Sequence, residues 1–525
     1  MNSFIKKIAL FSILAATATG SSQAAIHKAA PLKVISIHLP GEPASLDWNL
    51  SNRRIDNLII NNLQVGLVDA GPAHQLLPVL AKSWDISADG KTYTFHLRPG
   101  LQWSDGKALV AQNFIDSWKR LLSPVTSTSN GYFLLEIEGA ENFRKGRETD
   151  FSNVAIKALD PLTIQIKLRR PLWNWVWNFA ETATFPIRQD LVDQYGSKAW
   201  ASPGNMVTMG PYNLVSHDLD SEYVLKKNPR YFRALTIKID EIDYKILTET
   251  EAIQTFLAGK LDLICYVATV EKLPKEALAF LHWTQANTTK RLDFNTQRFP
   301  ISNPQIREAI ALAIDRRKLI QGAGAGLTRA TSAAPPAMTA HFNDVTLKPD
   351  PVKGRELVWN AHLENLSIEL LVPMFDEHSD ENLKTAQLIR QMLTQELHAD
   401  VTLQRAETEQ LYSLLRDTQQ YSLLIRDWTG TIDPDEFYSF YASFSRKSTS
   451  WSDPAYDKLV EQSRYEKNAT KRMKLYREMD EMLTQKNFAV LPLYYSADGI
   501  LVGRRVEGFN ADSLDPCKIR AQSLK

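Results

Sequence analysis

Cysteine is nearly missing from this 525-residue chain, which has two, Cys265 and Cys517. With ten histidines beside them, there is no density of soft ligands for an iron–sulfur cluster or a Cys-rich zinc module. A surplus of one charge is missing too. Lys plus Arg number 61 against 60 acids, a formal balance of +1, which excludes the strong basic excess of a dedicated nucleic-acid binder. Beyond the N-terminus no charge-free apolar run approaches the roughly 20 residues that a membrane span needs. Internal repeats and low-complexity linkers are also lacking. So are the G-x-S-x-G elbow, the H-E-x-x-H helix and the G-x-x-x-x-G-K-S/T loop. Gly322, Gly324 and Gly326 form the one glycine cluster, but Leu327 stands where a dinucleotide fingerprint needs its third glycine. The cluster follows a predicted helix, and it reads as a flexible loop. Catalysis is unsupported and no cofactor is expected, although scattered triads leave no such signature.

What remains is ample material for a core. Apolar residues make up 44% and charged residues 23% of the chain, enough for roughly three to four domain-sized units. Lys6 and Lys7, then the apolar stretch Ile8 to Thr19, then Ser22-Gln23-Ala24, read as a secretory signal cleaved after Ala24. Removing residues 1–24 removes two positive charges and no acids, so the expected balance is +1 − 2 = −1. No cysteine lies near that site to carry a lipid. The expectation is a freely diffusing, non-spanning protein of a Gram-negative periplasm. That compartment permits disulfides, and Cys265 and Cys517 either pair or stay as two separate thiols.

Tyr93, Phe95 and Leu97 alternate with polar residues, as do Leu162, Ile164, Ile166 and Leu168. Period two predicts strands with one buried face. Ala88-Asp89-Gly90, Ser104-Asp105-Gly106, Asp160-Pro161 and Asn228-Pro229 are turn signals. Asn303-Pro304 predicts a helix start, with Ile306, Ile310, Ala313 and Ile314 on one stripe. A second helix is predicted from about Ser379 to Leu397, with Leu383, Ala386, Leu393 and Leu397 inward, and a third from Asp453-Pro454 to about Leu483, with a break near Asn468. Asp433 and Asp435 around Pro434 read as a turn and helix cap rather than an acid/base pair. Interspersed strands and helices give an α/β or mixed class, with domains interwoven by several chain crossings.

A series of motifs then carries a resemblance. Gly41-Glu42-Pro43-Ala44-Ser45-Leu46-Asp47 opens it, and Leu80 to Leu109 (LAKSWDISADGKTYTFHLRPGLQWSDGKAL) is its most specific member. Ser117-Trp118-Lys119-Arg120, Met209-Gly210-Pro211-Tyr212, Lys227-Asn228-Pro229-Arg230-Tyr231, Leu257-Ala258-Gly259-Lys260-Leu261-Asp262, Ile306-Arg307-Glu308-Ala309-Ile310 and Val490-Leu491-Pro492-Leu493-Tyr494-Tyr495 follow in order. The chain resembles the solute-binding proteins of peptide and nickel ABC transporters, especially the periplasmic oligopeptide- and dipeptide-binding proteins.

The resemblance implies a two-lobed α/β periplasmic-binding-protein-like fold with an additional domain and two hinge strands. Domain I would comprise 25–63, 188–285 and 494–525, domain II 64–187, and domain III, the moving lobe, 286–493. Both cysteines then fall in domain I, which implies that they pair. The implied ligand site comprises Glu42, Met209, Arg416, Trp428, Thr429, Gly430, Thr431 and Asp433. Trp428 would be a pocket wall, with core packing as the alternative. Residues 429–431 would offer backbone groups to a peptide main chain, Glu42 would orient a peptide's N-terminal part, and Arg416 would face the ligand or solvent.

Two departures bear on the ligand. Thr431 stands where the family's peptide binders carry an aspartate for the free α-amino group, and a hydroxyl supplies no charge to offset burying an ammonium. Met209 replaces a polar residue. The expected partners are a small peptide or related solute and an inner-membrane ABC permease; the expected state is a monomer. A chelated metal, haem or a muropeptide on the same scaffold is the runner-up, and a secreted hydrolase is the reading from another class.

Overall fold

Alternation translates directly into strands. Thr92–Leu97 turns Tyr93, Phe95 and Leu97 inward, and Thr163–Lys167 does the same with Ile164 and Ile166. Gly90 closes the turn before the first of them at φ +73°, a conformation that costs glycine little. These strands pair in a four-stranded antiparallel sheet in the order Ala81–Ile86, Thr92–Leu97, Thr163–Lys167, Ile156–Asp160. The predicted helices form where their caps stand. Asn303 caps Pro304–Ala313, Asp453 caps Pro454–Tyr465, and Asn468 ends the break and caps Ala469–Glu481. Each cap oxygen accepts an otherwise unpaired N–H of the first turn.

The computed structural model describes residues 31–525 except 52, 72–74, 127, 268–269, 285–287, 364, 376–377, 430–433, 445–448, 512–516 and 521. The expected signal at 1–24 therefore lies outside the described residues. No helix among them is long and apolar enough to cross a membrane.

Two larger sheets organise the chain. The first is seven-stranded, in the order Leu281–Trp283, Gly499–Val502, Leu263–Val267, Val34–Leu39, Glu241–Ile246, Glu222–Lys227, Tyr212–Asp218. Its central strand Val34–Leu39 runs parallel to both neighbours. The second is six-stranded, in the order Leu327–Arg329, Val490–Ser496, Thr288–Phe294, Leu423–Thr429, Ser367–Pro373, Asp400–Ala406. The chain passes from one sheet to the other twice, between Trp283 and Thr288 and between Ser496 and Gly499. One continuous apolar core joins the seven-stranded sheet to the four-stranded one, with Ile37, Tyr244, Phe95, Trp103 and Trp118 among its members. Separate clusters, built around Ile310, Leu370 and Leu393 and around Phe437, Tyr438 and Tyr476, serve the six-stranded sheet.

Several sequence features find their cause here. The structure bonds Cys265, on a central strand, to Cys517, 252 residues away, and so ties the C-terminal segment to the first sheet. Gly322 lies in the helix Arg316–Ala323, packed on Leu388, and Gly326 (φ +70°) sits against the Trp283 ring. The loop reading holds for Gly324 and Gly326 but not for Gly322, and Gly326 is tightly packed where the two sheets come together, with no room for a Cβ.

Asp47, the last residue of the opening motif, is fully buried. Arg120 grips it with both guanidinium nitrogens at 2.9 and 2.5 Å, and Trp200 Nε1 donates to it at 3.1 Å. Removing one partner of such a pair strands a buried charge, at a cost of about 3–5 kcal/mol. Asp47→Ala is expected to lower stability by about that much, read as a fall in the urea midpoint without a change in slope.

Candidate functional site

The register of the six-stranded sheet places the candidate segment. Leu327, Ser496, Thr288 and Thr429 lie side by side in one row at its end. That is the end at which both crossings enter. The chain leaves the row at Thr429 for residues 430–433, so Gly430, Thr431 and Asp433 lie outside the described residues. The next row inward is Thr328, Tyr495, Thr289 and Trp428. Directly opposed residues on neighbouring strands share a face. Thr289, Arg291 and Asp293 therefore lie on the same side as Trp428 and Arg426.

Trp428 is half-buried, edge-on to Phe437 and Phe440 with both ring centroids 5.0 Å away. Its Nε1 is buried without a hydrogen-bond partner. Behind it lies Arg291, whose Nε donates to Asp293 at 2.7 Å. Burial opposes the Arg291 charge, but Asp293 and the Tyr441 hydroxyl more than offset that and hold the guanidinium above its ordinary value. The opposite face carries a second buried charge. Lys290 is held by Asp427 at 2.9 Å, Asn382 at 2.6 Å and Glu381 at 3.4 Å. Burial works against that charge as well, and Asp427 and Glu381 outweigh it. Each cation is matched by acids, as burial of charge requires.

The other sequence candidates are spread more widely. Arg416 ends the helix Glu409–Asp417, donates to Asp417 at 2.8 Å and lies 5.7 Å over the Tyr412 ring. Burial pushes the Tyr412 hydroxyl up to about 12, against the opposing field of Arg426, Arg416 and Arg291. Arg416 with Tyr412 and Trp428 with Phe437 stand in two separate clusters of the same lobe. Glu42 sits on the first lobe, where its carboxylate accepts from Tyr223 Oη and from the Asp220 N–H at 3.2 Å and lies 2.8 Å from His217 Nε2. Met209 is 2% exposed in the core, with its N–H on Gln64 at 3.0 Å. Its side chain has no surface to offer a ligand in this arrangement.

The resemblance implies two hinge strands, and the structure shows how they are held together. The Thr284 N–H donates to the Asp498 carbonyl at 3.0 Å and the Asp498 N–H to Thr284 Oγ1 at 3.2 Å, so the two crossings are stitched together. Arg54, from the first lobe, pairs with the Asp498 carboxylate and stacks 3.6 Å over the Tyr266 ring. The lobes meet again farther off, where Lys467 donates to the Ala88 carbonyl and stands 5.8 Å over the Trp173 ring. Sequence reasoning passed over Arg291 and Lys290. The one sequence signal for them is a charged Lys-Arg-x-Asp set inside a strand that is otherwise fit for a core.

Residues 75–450 match the family described as bacterial extracellular solute-binding proteins, family 5 middle. The chain belongs to this family. As a family 5 solute-binding protein it is 27% identical over 492 residues to the probable deoxycholate-binding periplasmic protein YgiS of Escherichia coli K12, covering 91% of each chain. It is 26% identical to the dipeptide-binding protein DppE of Bacillus subtilis 168, covering 91% of this chain and 89% of the relative. Among solved structures it matches the MppA periplasmic murein tripeptide-binding protein in its unliganded open form. That match has a TM-score of 0.82 at 25% identity and covers 94% of this chain and 98% of the other. The fold of this family 5 protein is the two-lobed one of periplasmic peptide-binding proteins.

Behind the Tyr495 and Trp428 row this family 5 protein buries one more acid. Asp480 accepts from Ser332 Oγ and from the Ala333 N–H at 3.0 Å. Tyr495 Oη in turn accepts from the Thr331 and Ser332 amides at 3.0 and 2.9 Å. Burial pushes the Asp480 carboxyl up to about 7. The fold therefore keeps a proton that the unfolded chain releases near pH 4. The contribution favours folding at low pH and is lost as pH rises through about 7. Wild-type stability is expected to fall by up to about 4 kcal/mol from this group between pH 4 and 8. Asp480→Asn, neutral throughout, is expected to give a flatter profile of urea midpoint against pH.

Proposed function

We propose that this chain is the periplasmic solute receptor of an ABC transporter. It binds small peptides between its two lobes and hands them unaltered to an inner-membrane permease. The observation that carries the reading is the end-to-end likeness to the open form of a murein tripeptide-binding protein, with a dipeptide-binding relative supporting it. The domain division follows the two crossings. Domain I takes 25–63, 188–285 and the C-terminal segment, domain II takes 64–187, and domain III runs from 286 onward. Val490–Ser496 pairs within the second sheet, so the second crossing falls just after Ser496 rather than at 493/494. The receptor acts as a monomer.

The mechanism rests on what peptides share. Main-chain N–H and C=O groups can pair with the backbone of 429–431, while side chains enter the space beside Trp428. Closing the lobes expels water and strengthens each polar contact, and the closed form is what the permease distinguishes from the open one. Arg416 faces the ligand from a separate cluster of the same lobe. Asp433 is the acid within the segment that could reach an ammonium group.

A second reading has its own support. YgiS, the 27% relative, is named for probable deoxycholate binding, and Thr431 removes the charge that a free α-amino group would meet. On that reading the guest is an amphipathic solute without an amine.

Incubation with a random tri- to pentapeptide library, then native mass spectrometry, separates these readings. Peptide retained intact at one per chain supports the receptor, and cleaved peptide would point to a hydrolase. Retention of deoxycholate with no peptide would favour the second reading. Thr431→Asp is expected to raise affinity for peptides with free N-termini roughly tenfold, the size of one charge-assisted hydrogen bond. No gain by calorimetry in a folded variant would remove that position from amine recognition.

A further inference from the structure

We propose that Arg291 is the positioning residue of the ligand-facing wall: its guanidinium, buried behind Trp428, sets the angle at which the indole stands. The proposal rests on the reading of Trp428 as that wall.

Arg291 is 1% exposed. Its Nε is hydrogen-bonded to Asp293, but Nη1 and Nη2 have no hydrogen-bond acceptor. Two unsatisfied, buried polar groups would destabilise the fold if nothing else met them. Aromatic rings meet them. The guanidinium carbon lies 5.6 Å from the Trp428 ring centroid, 5.4 Å from Phe440 and 5.5 Å from Tyr441. At these distances a cation is attracted to the ring quadrupole, and more strongly where water is excluded.

The three rings come from two sides of one segment. Trp428 precedes residues 430–433, whereas Phe440 and Tyr441 follow them, just past the helix Pro434–Ser439. Both flanks of the candidate ligand segment are therefore seated on a single side chain from the neighbouring strand Thr288–Phe294.

Among the described residues no hydrogen bond does this work instead. Trp428 Nε1, Tyr441 Oη and Thr289 Oγ1 are all buried without partners. Among the described residues, the indole is oriented by ring contacts and by the guanidinium. A planar, five-donor cation can serve three rings at once in a way that a compact ammonium cannot. Plain core packing would not require it, because replacing a buried ion pair by apolar groups of similar volume is often neutral for stability. That difference makes the role testable.

The test compares Arg291→Met and Arg291→Lys with Arg307→Met. Arg307 is also buried, and it donates to the carbonyls of Asn487, Ile301 and Ser302. Each variant is made with and without Trp428→Phe, so that the near-ultraviolet circular dichroism difference isolates the Trp428 signal. Retention from a random tri- to pentapeptide library is quantified in parallel. Arg291→Met is expected to lose more than half of the Trp428 signal and to retain about tenfold less peptide. Arg291→Lys should fall between it and wild type, and it carries the test if Arg291→Met does not fold. Arg307→Met should lower the unfolding midpoint and leave both readouts in place. An unchanged Trp428 signal in the folded Arg291 variants, or an equal loss in Arg307→Met, overturns the proposal. If Trp428→Phe alone leaves retention untouched, the wall reading fails, while the spectral arm still decides whether Arg291 orients the indole.

Discussion

The stitch between Thr284 and Asp498 governs the geometry of the whole molecule. Two strands of chain connect the lobes, and at their midpoint they hydrogen-bond to each other. Arg54 anchors the pair to the first lobe through the Asp498 carboxylate and the Tyr266 ring. Two adjacent, mutually bonded strands resist sliding and splaying but allow rotation about their common direction, the property that a hinge needs. Because both strands run into the same end of the six-stranded sheet, whatever stands at that end is carried to the space between the lobes. The position of Trp428 and of the segment after it therefore follows from the joint and from strand register.

Buried charge is concentrated next to that end of the sheet. Lys290 and Arg291 are consecutive, so a strand's period of two sends one to each face. Each is matched by acids on its own side, Asp427 and Glu381 for the first and Asp293 for the second. Such pairs contribute little to net stability once desolvation is counted, and they are better understood as fixing geometry. Their placement one and two rows in from Trp428 supports that view.

Much of the fold was legible in local chemistry. Asn303, Asp453 and Asn468 announced their helices because a short polar side chain before an apolar stripe does one thing well. The alternation of Tyr93, Phe95 and Leu97 could make only a half-buried strand. The site was less legible because its interactions cross the chain. Arg291 and Lys290 look like solvated charges until the strand Leu423–Thr429, more than 130 residues later, is laid beside them. The opening motif showed Glu42 and Asp47 as two acids in one short stretch. Nothing local says that Arg120 and Trp200 would consume the second, or that Tyr223 and His217 would occupy the first. Gly326 was read as slack because the Trp283 ring that confines it lies on another sheet.

The state of Glu42 narrows the question of the ligand. Two acids were candidates to meet a ligand's ammonium group, Glu42 and Asp433, since residue 431 is a threonine. The first already accepts from a tyrosine hydroxyl and a backbone amide and lies beside an imidazole, so turning to a ligand would leave those partners unsatisfied. Glu42 is thus committed to partners of its own lobe. On the other lobe the cations near Trp428 are already answered: Arg291 and Arg426 share the Asp293 carboxylate and Arg416 holds Asp417, so the net field there is far smaller than three guanidinium groups alone would set up.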